Sequence, residues 1–295
     1  MALTLTEGAK LSNDVVVQGV IETIVKDSPL LQRLPFIDIT GNAITYNREN
    51  AAATAAFYSV GDTWSESTPT FTQLTTSLAI MGGDADVDRY IATTRNNIQD
   101  IEAAVVELKA KAVRYKFEDA FVSGDSTVDT KSFDGVAKQV TGAQTIAAGT
   151  NGAQLSLALL DQVVDQVRPG RPDLLLMSKR TRRQLTALVR NSGAYMETRQ
   201  NDFGMFQELY SGIPVGVSDF ISDIETQGTS NIASSIYALQ FGEGRVAGLQ
   251  GAGGMQVERV GTLETRDATR WRLKWYCNIA IFSDLAVARL KGLVP

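Results

Sequence analysis

The sequence contains no histidine and a single cysteine, Cys277. Ser-His-Asp and Cys-His nucleophile arrangements are therefore impossible, as are histidine-ligated metal sites. One cysteine also excludes an internal disulfide and a cysteine-built zinc site. Any catalysis would be confined to lysine, tyrosine or carboxylates. Long apolar runs are missing too. No stretch approaches the roughly 18 apolar residues of a membrane span, and Met1–Lys10 lacks the apolar segment of a signal peptide. The expectation is a protein made and kept in a cytoplasm, with no membrane partner. Lysine is absent between Lys26 and Lys109. A net charge of −5 argues against coating nucleic acid by overall attraction, although a local basic patch could still touch it.

What is present is a soluble globular composition, 44% hydrophobic against 21% charged, in a chain of 295 residues that predicts one or two domains with a substantial core. The longest periodic segment is Thr94–Gly124. Ile98, Ile101, Val105, Leu108, Ala112 and Tyr115 recur at helical spacing, which predicts one long helix with those residues as its apolar stripe. Glu107 with Lys111 and Arg114 with Glu118 stand one turn apart and add about 0.3 kcal/mol each. Gly124 supplies the stop. Such a helix runs about 40 Å and needs a surface to lie against. Ser12–Lys26 is expected to be a short helix capped by Ser12, Asn13 or Asp14, with a strand as the alternative. Leu30, Leu31, Leu34 and Phe36 then anchor the chain.

Between Thr40 and Gly83 the only charges are Arg48, Glu49, Asp62 and Glu66. The alternations Ile44–Tyr46–Arg48 and Thr72–Leu74–Thr76–Leu78–Ile80, with Gly61-Asp62 between them, predict a long two-stranded hairpin. A lone ribbon is marginal in water and has no second layer to cover its aromatics, each able to bury about 150–250 Å². An arm lying across a neighbouring chain is expected, with Tyr46, Arg48, Glu49, Phe57, Tyr58, Trp64 and Phe71 as its contacts. The alternatives are a hairpin folded back on its own subunit and a disordered Ser/Thr loop. Asp84, Asp86 and Asp88 open like a calcium loop, but Arg89 and Arg95 stand where that loop needs glycine and glutamate. A strand end leading into the long helix is the better expectation, and no metal site is assigned.

After a polar loop from Gly124-Asp125 to Asp134-Gly135, Leu155–Val167 is predicted as a second helix, Asp173–Met177 as a short buried strand, and Ser178 as the cap of a third helix ending at Asn191–Gly193. Helix, strand, helix indicates an α/β lobe. The third helix carries Lys179, Arg180, Arg182, Arg183 and Arg190 without an acid, four of them near its N-terminus, where the helix dipole disfavours cations. Its face is either paired with acids elsewhere in the chain or in a neighbour, or meets packaged nucleic acid. Pro214–Val217, Ile236–Phe241 and Met255–Val260 are expected to be short strands. The glycines from Gly242 to Gly254 do not match a dinucleotide fingerprint and are expected to form a flexible loop. Trp271, Leu273, Trp275, Cys277, Ile279 and Ile281 alternate with Arg272, Lys274, Tyr276 and Asn278, which predicts one long half-buried strand.

The order of these parts, an N-terminal arm, a long hairpin, a spine helix, an α/β lobe and a returning strand, resembles the major capsid proteins of tailed bacteriophages, the Hong Kong 97 fold that encapsulins share. Local phrases are similar as well: Ser28–Phe36 followed by Gly41, Phe121–Gly135 with Phe133-Asp134-Gly135, Asp173–Ser178, Ser211–Asp219, and Trp271–Leu290. The resemblance implies an α+β fold with an N-terminal arm (1–36), an extended β-hairpin loop (37–90), a P-domain with the spine helix (91–153 and 255–295) and an α/β A-domain (154–254). It implies a shell subunit forming pentamers and hexamers in an icosahedral capsid around double-stranded DNA, located in the virion and assembled in the bacterial host cytoplasm. The implied partners are other copies of the chain, a portal, a separate scaffolding protein, a decoration protein, and packaged DNA met through Lys179, Arg180, Arg182 and Arg183. No catalytic residue and no cofactor is expected. Some relatives cross-link through a lysine in the extended loop; the lysine-free stretch here predicts a non-covalent shell. Two further readings are an encapsulin-type nanocompartment shell protein, and an enzyme built on pairs such as Glu102 with Lys109, which a helix surface explains equally. In the capsid reading the spine helix packs its apolar stripe against the strand around Trp271–Ile281.

Overall fold

A computed structural model describes residues 3–4, 28–51, 53–90, 93, 101–200, 204 and 206–295. The helix expected over Ser12–Lys26 and the first turns of the long helix, residues 94–100, lie outside the described residues. A short strand β1 (Leu3–Thr4) pairs antiparallel with β2 (Pro35–Ile39). The ribbon follows, β3 (Ala43–Ala51) against β4 (Thr70–Ser77), and then β5 (Ala79–Asp88). The long helix α1 is Ile101–Ser123, followed by the single-turn α2 (Val136–Gln139). The second half holds β6 (Thr145–Ala147), α3 (Leu157–Gln166), β7 (Leu174–Met177) and α4 (Lys179–Asn191). Strands β8 (Glu197–Gln200), β9 (Phe206–Tyr210), β10 (Ile213–Val217), β11 (Glu225–Gln227) and β12 (Ser230–Leu239) come next. Two long strands, β13 (Val246–Thr262) and β14 (Ala268–Ile281), precede the closing β15 (Val287–Leu293).

Two larger sheets result. One runs β1-β2-β13-β14-β5 and carries α1 on one face; the other runs β6-β15-β12-β7-β10-β9-β8, with β11 beside β12. The alternation read along β14 holds as far as Cys277, with Leu273, Trp275 and Cys277 buried in one cluster with α1; from Cys277 to Ile281 every residue is buried, Asn278 included, because Ile39 and Leu249 pack with Ala280 on the other face. Phe117 of α1 meets Trp275 with ring centroids 4.8 Å apart, and Phe36 closes the cluster at 5.3 Å from Trp275. Farther along, the Trp271 indole N–H donates to Glu102 Oε2 at 3.2 Å. The spine helix therefore lies against the expected strand.

The stripe it uses is not the expected one. Val106, Ala110, Val113, Phe117, Ala120 and Phe121 are buried, whereas Leu108 is 65% and Tyr115 48% exposed. Both rows have helical spacing, so periodicity alone does not rank them. Phe117 and Phe121 decide the matter, because burying an aromatic ring contributes about 3 kcal/mol. The predicted Glu107–Lys111 ion pair is present at 3.1 Å. Burial also pushes the Cys277 thiol pKa upward, as suits a small core side chain.

The glycine run is a second correction. Gly242 and Gly244 lie in the turn before β13 as expected, but Gly248, Gly251, Gly253 and Gly254 belong to β13, where Gly248 pairs with Ile279 of β14 and with Phe36 of β2, and Gly251 with Ile39 of β2. A Cβ at Gly248 would enter the Phe36 ring, so close approach of β2 requires glycine there. A register shift between Gln250 and Met255 accommodates Gly253 and Gly254, both at positive φ.

In the second sheet β7 is buried at every residue, as a strand covered on both faces must be. The Ser156 and Ser178 side chains cap α3 and α4 by accepting from Leu159 and Thr181 N–H at 3.2 and 3.3 Å. Strand β15 joins this sheet by pairing with β12 and β6. The polar loop after α1 is clamped: Lys138 Nζ lies 2.6 Å from Asp125 Oδ1 and 2.9 Å from Asp134 Oδ1.

Candidate functional site

The β3–β4 ribbon is tied down at its root and free at its tip. At the root, the Tyr46 ring packs 4.7 Å from Phe282 and its hydroxyl donates to the Ile281 carbonyl at 3.4 Å. Arg48 ion-pairs with Asp284 at 2.6 Å and also donates to the Ile281 carbonyl. Two of the expected arm contacts thus spend these interactions within their own chain. Backbone pairing runs from Ala43 opposite Ser77 out to Ala51 opposite Thr70. Glu49 lies in this pairing, opposite Phe71, but its side chain is outside the described residues.

Beyond the pairing the tip holds its own shape. Thr54 N–H donates to Ser67 Oγ at 3.0 Å, Tyr58 and Ser65 hydroxyls meet at 2.8 Å, and Ser59 N–H donates to Asp62 Oδ2 across a turn with Gly61 at positive φ. The Tyr58 and Trp64 rings stack at 4.3 Å. Trp64 is nevertheless 78% exposed, Phe57 is fully exposed and Phe71 largely so. A structured ribbon carrying bare aromatics has the form of a contact awaiting a partner surface.

The face of the five-stranded sheet turned away from α1 changes character along its length. At one end β5 and β14 are joined by bidentate forks. Arg270 holds Asp86 with its Nε and Nη2 at 2.6 and 2.8 Å, and Arg272 holds Asp84 at 2.7 and 2.8 Å, each pair directly opposite in register. Arg266 adds a second contact to Asp86. Of the aspartates that open like a calcium loop, Asp84 and Asp86 are thus arginine partners and Asp88 accepts from Tyr90 N–H at 2.9 Å; among the described residues no cluster of three or more potential ligands could hold a metal ion.

Hydrogen bonding to Arg270 lowers the Asp86 pKa from 3.8 to about 2, Arg272 lowers that of Asp84, and Lys138 lowers that of Asp125. A depressed carboxylate contributes stability that is full above its unfolded value near 4 and is lost as pH falls through the folded value. The melting temperature is therefore expected to drop between about pH 4 and pH 2. Asp86→Asn should show a shallower drop over that window in a thermal-melt series; an equally steep drop in the variant would remove Asp86 from the acid response.

The basic helix α4 is largely neutralised by acids distant in sequence. Lys179 pairs with Asp219 at 2.7 Å, Arg180 with Asp223 at 3.5 Å and Arg182 with Glu208 at 3.2 Å. Arg180 also donates to the Leu293 carbonyl, tying α4 to β15. Arg183 is exposed and makes no ion pair among the described residues. No local signal announces these partners, since they reach α4 only through the β9–β12 excursion.

The family model described as the phage capsid family matches residues 8–292. Among curated proteins none matches the sequence. The fold is similar to that of the holo-SrpI encapsulin complex of Synechococcus elongatus PCC 7942, with TM-score 0.71 and 18% identity over 100% of this chain and 97% of that one. It is similar to the capsid of the native GTA particle, with TM-score 0.65 and 15% identity over 92% and 91% of the two chains. A protein of Microbacterium phage Oxtober96 has TM-score 0.64 and 16% identity, with 91% of each chain covered.

Proposed function

The chain belongs to the phage capsid family, and from that membership we propose how it works as the major capsid protein of a tailed phage. It is a structural shell protein with the α+β Hong Kong 97-like fold, and its place is the capsid. Copies associate as pentamers and hexamers into an icosahedral shell around double-stranded DNA, assembled in the bacterial host cytoplasm. The A-domain, residues 154–254, points toward the symmetry axes, with β6 and β15 of the P-domain extending its sheet. The P-domain, residues 91–153 and 255–295, forms the periphery. The extended hairpin within residues 37–90 lies on the adjacent subunit, and the arm, residues 1–36, completes the subunit. A portal, a separate scaffolding protein and a decoration protein are the further partners.

The observation that carries this reading is the tip. Phe57, Trp64 and Phe71 are bare in a ribbon whose root is firmly attached, which favours contact with another subunit over folding back. Electron microscopy of the purified protein is expected to show closed shells of pentamers and hexamers; a monomer under every solution condition would overturn the reading. Boiled shells are expected to run as single chains on a denaturing gel, because no lysine lies between Lys26 and Lys109. A ladder would refute the non-covalent shell. The similarity to the SrpI encapsulin supports a second reading, a nanocompartment, which purified shells containing a cargo enzyme in place of DNA would favour.

Contact of α4 with packaged DNA rests on the charge left after in-chain pairing, chiefly Arg183 with the exposed Lys179. Lys179→Gln with Arg183→Gln is expected to lower DNA retention while leaving shell yield unchanged, and the difference from the parent should be largest at low salt and shrink as salt rises, because the variant makes fewer salt-sensitive phosphate contacts. Retention equal to the parent in a nuclease-protection assay would return this face to in-chain pairing alone.

A further inference from the structure

Resting on the shell reading, we propose that the hairpin tip of one subunit docks into a specific groove at the hairpin root of the next, on the outer face of the five-stranded sheet. The groove, about 380 Å³, is walled by Ile39, Leu78, Ile80 and Tyr276. Gly251 is its floor: a Cβ there would sit 3.2 Å from Tyr276 Cβ and 3.6 Å from Leu78 Cδ1, so the missing side chain keeps the groove open. No charged side chain lines it. Ile80 is 78% exposed although it stands in register with Tyr276 on the neighbouring strand, an apolar cross-strand pair with nothing above it among the described residues.

The chain cannot fill this groove with its own tip. Leu78 N–H donates to the Asn42 carbonyl at 2.9 Å, which fixes the groove at the root of the ribbon. The pairing from Ala43 to Ala51 then carries the strands about 27 Å outward at roughly 3.3 Å per residue. Phe57 and Trp64 lie beyond it, held in the ribbon by the Thr54–Ser67 and Tyr58–Ser65 bonds. Donor and acceptor occupy opposite ends of one rigid element. Tip and groove of one chain therefore do not meet, a second copy satisfies each, and the resulting head-to-tail contact generates rings when its rotation closes.

The match is apolar rather than electrostatic. On the same face of the sheet Lys274 pairs with Glu258, and Arg270 and Arg272 pair with Asp86 and Asp84, while the slot itself holds no charged side chain. Its walls, Ile39, Leu78, Ile80 and Tyr276, suit the bare Phe57 and Trp64 of a tip.

Two measurements test the docking. Ile80→Glu alters an exposed side chain, so its melting temperature is expected to match the parent while shell yield falls at least about tenfold, the effect of losing roughly 1.4 kcal/mol per contact. Parent-level shell yield from this variant overturns the groove. In the second, Thr63→Cys chains and Asn42→Cys chains are assembled separately and together under oxidising conditions; the native Cys277 is buried and does not interfere. A disulfide-linked dimer is expected in the mixture alone. A dimer within either variant by itself, or none in mixed shells, overturns the proposal while leaving the shell reading intact. Failure of the parent chain to form any shell would instead overturn the shell reading.

Discussion

A Phe57→Ala, Trp64→Ala double variant is expected to fold as the parent chain does and to form no shells. In the free subunit Phe57 is fully exposed and Trp64, 78% exposed, stacks on Tyr58, so removing both should change stability by no more than about 0.5 kcal/mol, the usual range for surface substitutions. At an interface the same side chains would bury about 150–250 Å² each, and truncating a buried aromatic anchor typically costs 2 kcal/mol or more. About 2 kcal/mol is roughly a thirtyfold loss per contact. In the proposed shell every subunit donates one tip, so the loss repeats around each ring and accumulates over the shell. Sedimentation should find the double variant as small species at concentrations where the parent is fully assembled, with an unchanged melting curve. Shells at the parent's threshold concentration would show that the tip is not an assembly contact.

The second large effect belongs to the interior of the subunit. Arg289 on β15 donates to Glu225 Oε2 at 2.9 Å, to Ser235 Oγ at 3.1 and 3.2 Å and to the Ala137 carbonyl at 3.1 Å, and its guanidinium lies 5.5 Å over the Tyr237 ring. The two charged side chains are 17% and 21% exposed. One residue thus holds three segments, β11, β12 and the turn that carries α2. Arg289→Met leaves the Glu225 carboxylate without its cation in a mostly buried site, a change that costs about 3–5 kcal/mol. The lower end is expected because water still reaches a fifth of the pair. That is a large part of the roughly 5–15 kcal/mol that separates folded from unfolded domains. The urea midpoint should fall sharply, best measured in the Phe57→Ala, Trp64→Ala background, where assembly does not mask subunit stability. Adding Glu225→Gln removes the stranded charge and should restore part of the loss. If Arg289→Met alone moves the midpoint by less than 1 kcal/mol equivalent, the pair is not a structural lock.

Much of this architecture is local in origin. The alternation from Trp271 to Ile281 dictates a half-buried strand because side chains on a strand point to opposite faces with a period of two. The serines before α3 and α4 mark helix starts because their side-chain oxygens satisfy otherwise unpaired N–H groups. The sparse charge and strand-like alternations between Thr40 and Gly83 announce a two-stranded ribbon. The missing histidine removes most catalytic chemistry before any coordinate is known. These features depend on neighbours within a few residues, and sequence order contains them.

Other features depend on residues brought together from far apart, and only the tertiary structure decided them. Which of two helical rows on α1 is buried was settled by the β14 strand, whose Trp275 accepts Phe117 and leaves Leu108 and Tyr115 outside. The glycines of β13 are strand residues because Phe36, more than two hundred positions earlier, occupies the space a side chain would need at Gly248. The basic run on α4 is mostly neutral because Asp219, Asp223 and Glu208 return beside it. Likewise, Asp84 and Asp86 are ion-paired because β14 places Arg272 and Arg270 opposite them. Periodicity tells a residue's direction relative to its own backbone; the surface it then meets is fixed by topology, which joins distant segments and carries no mark in the local pattern.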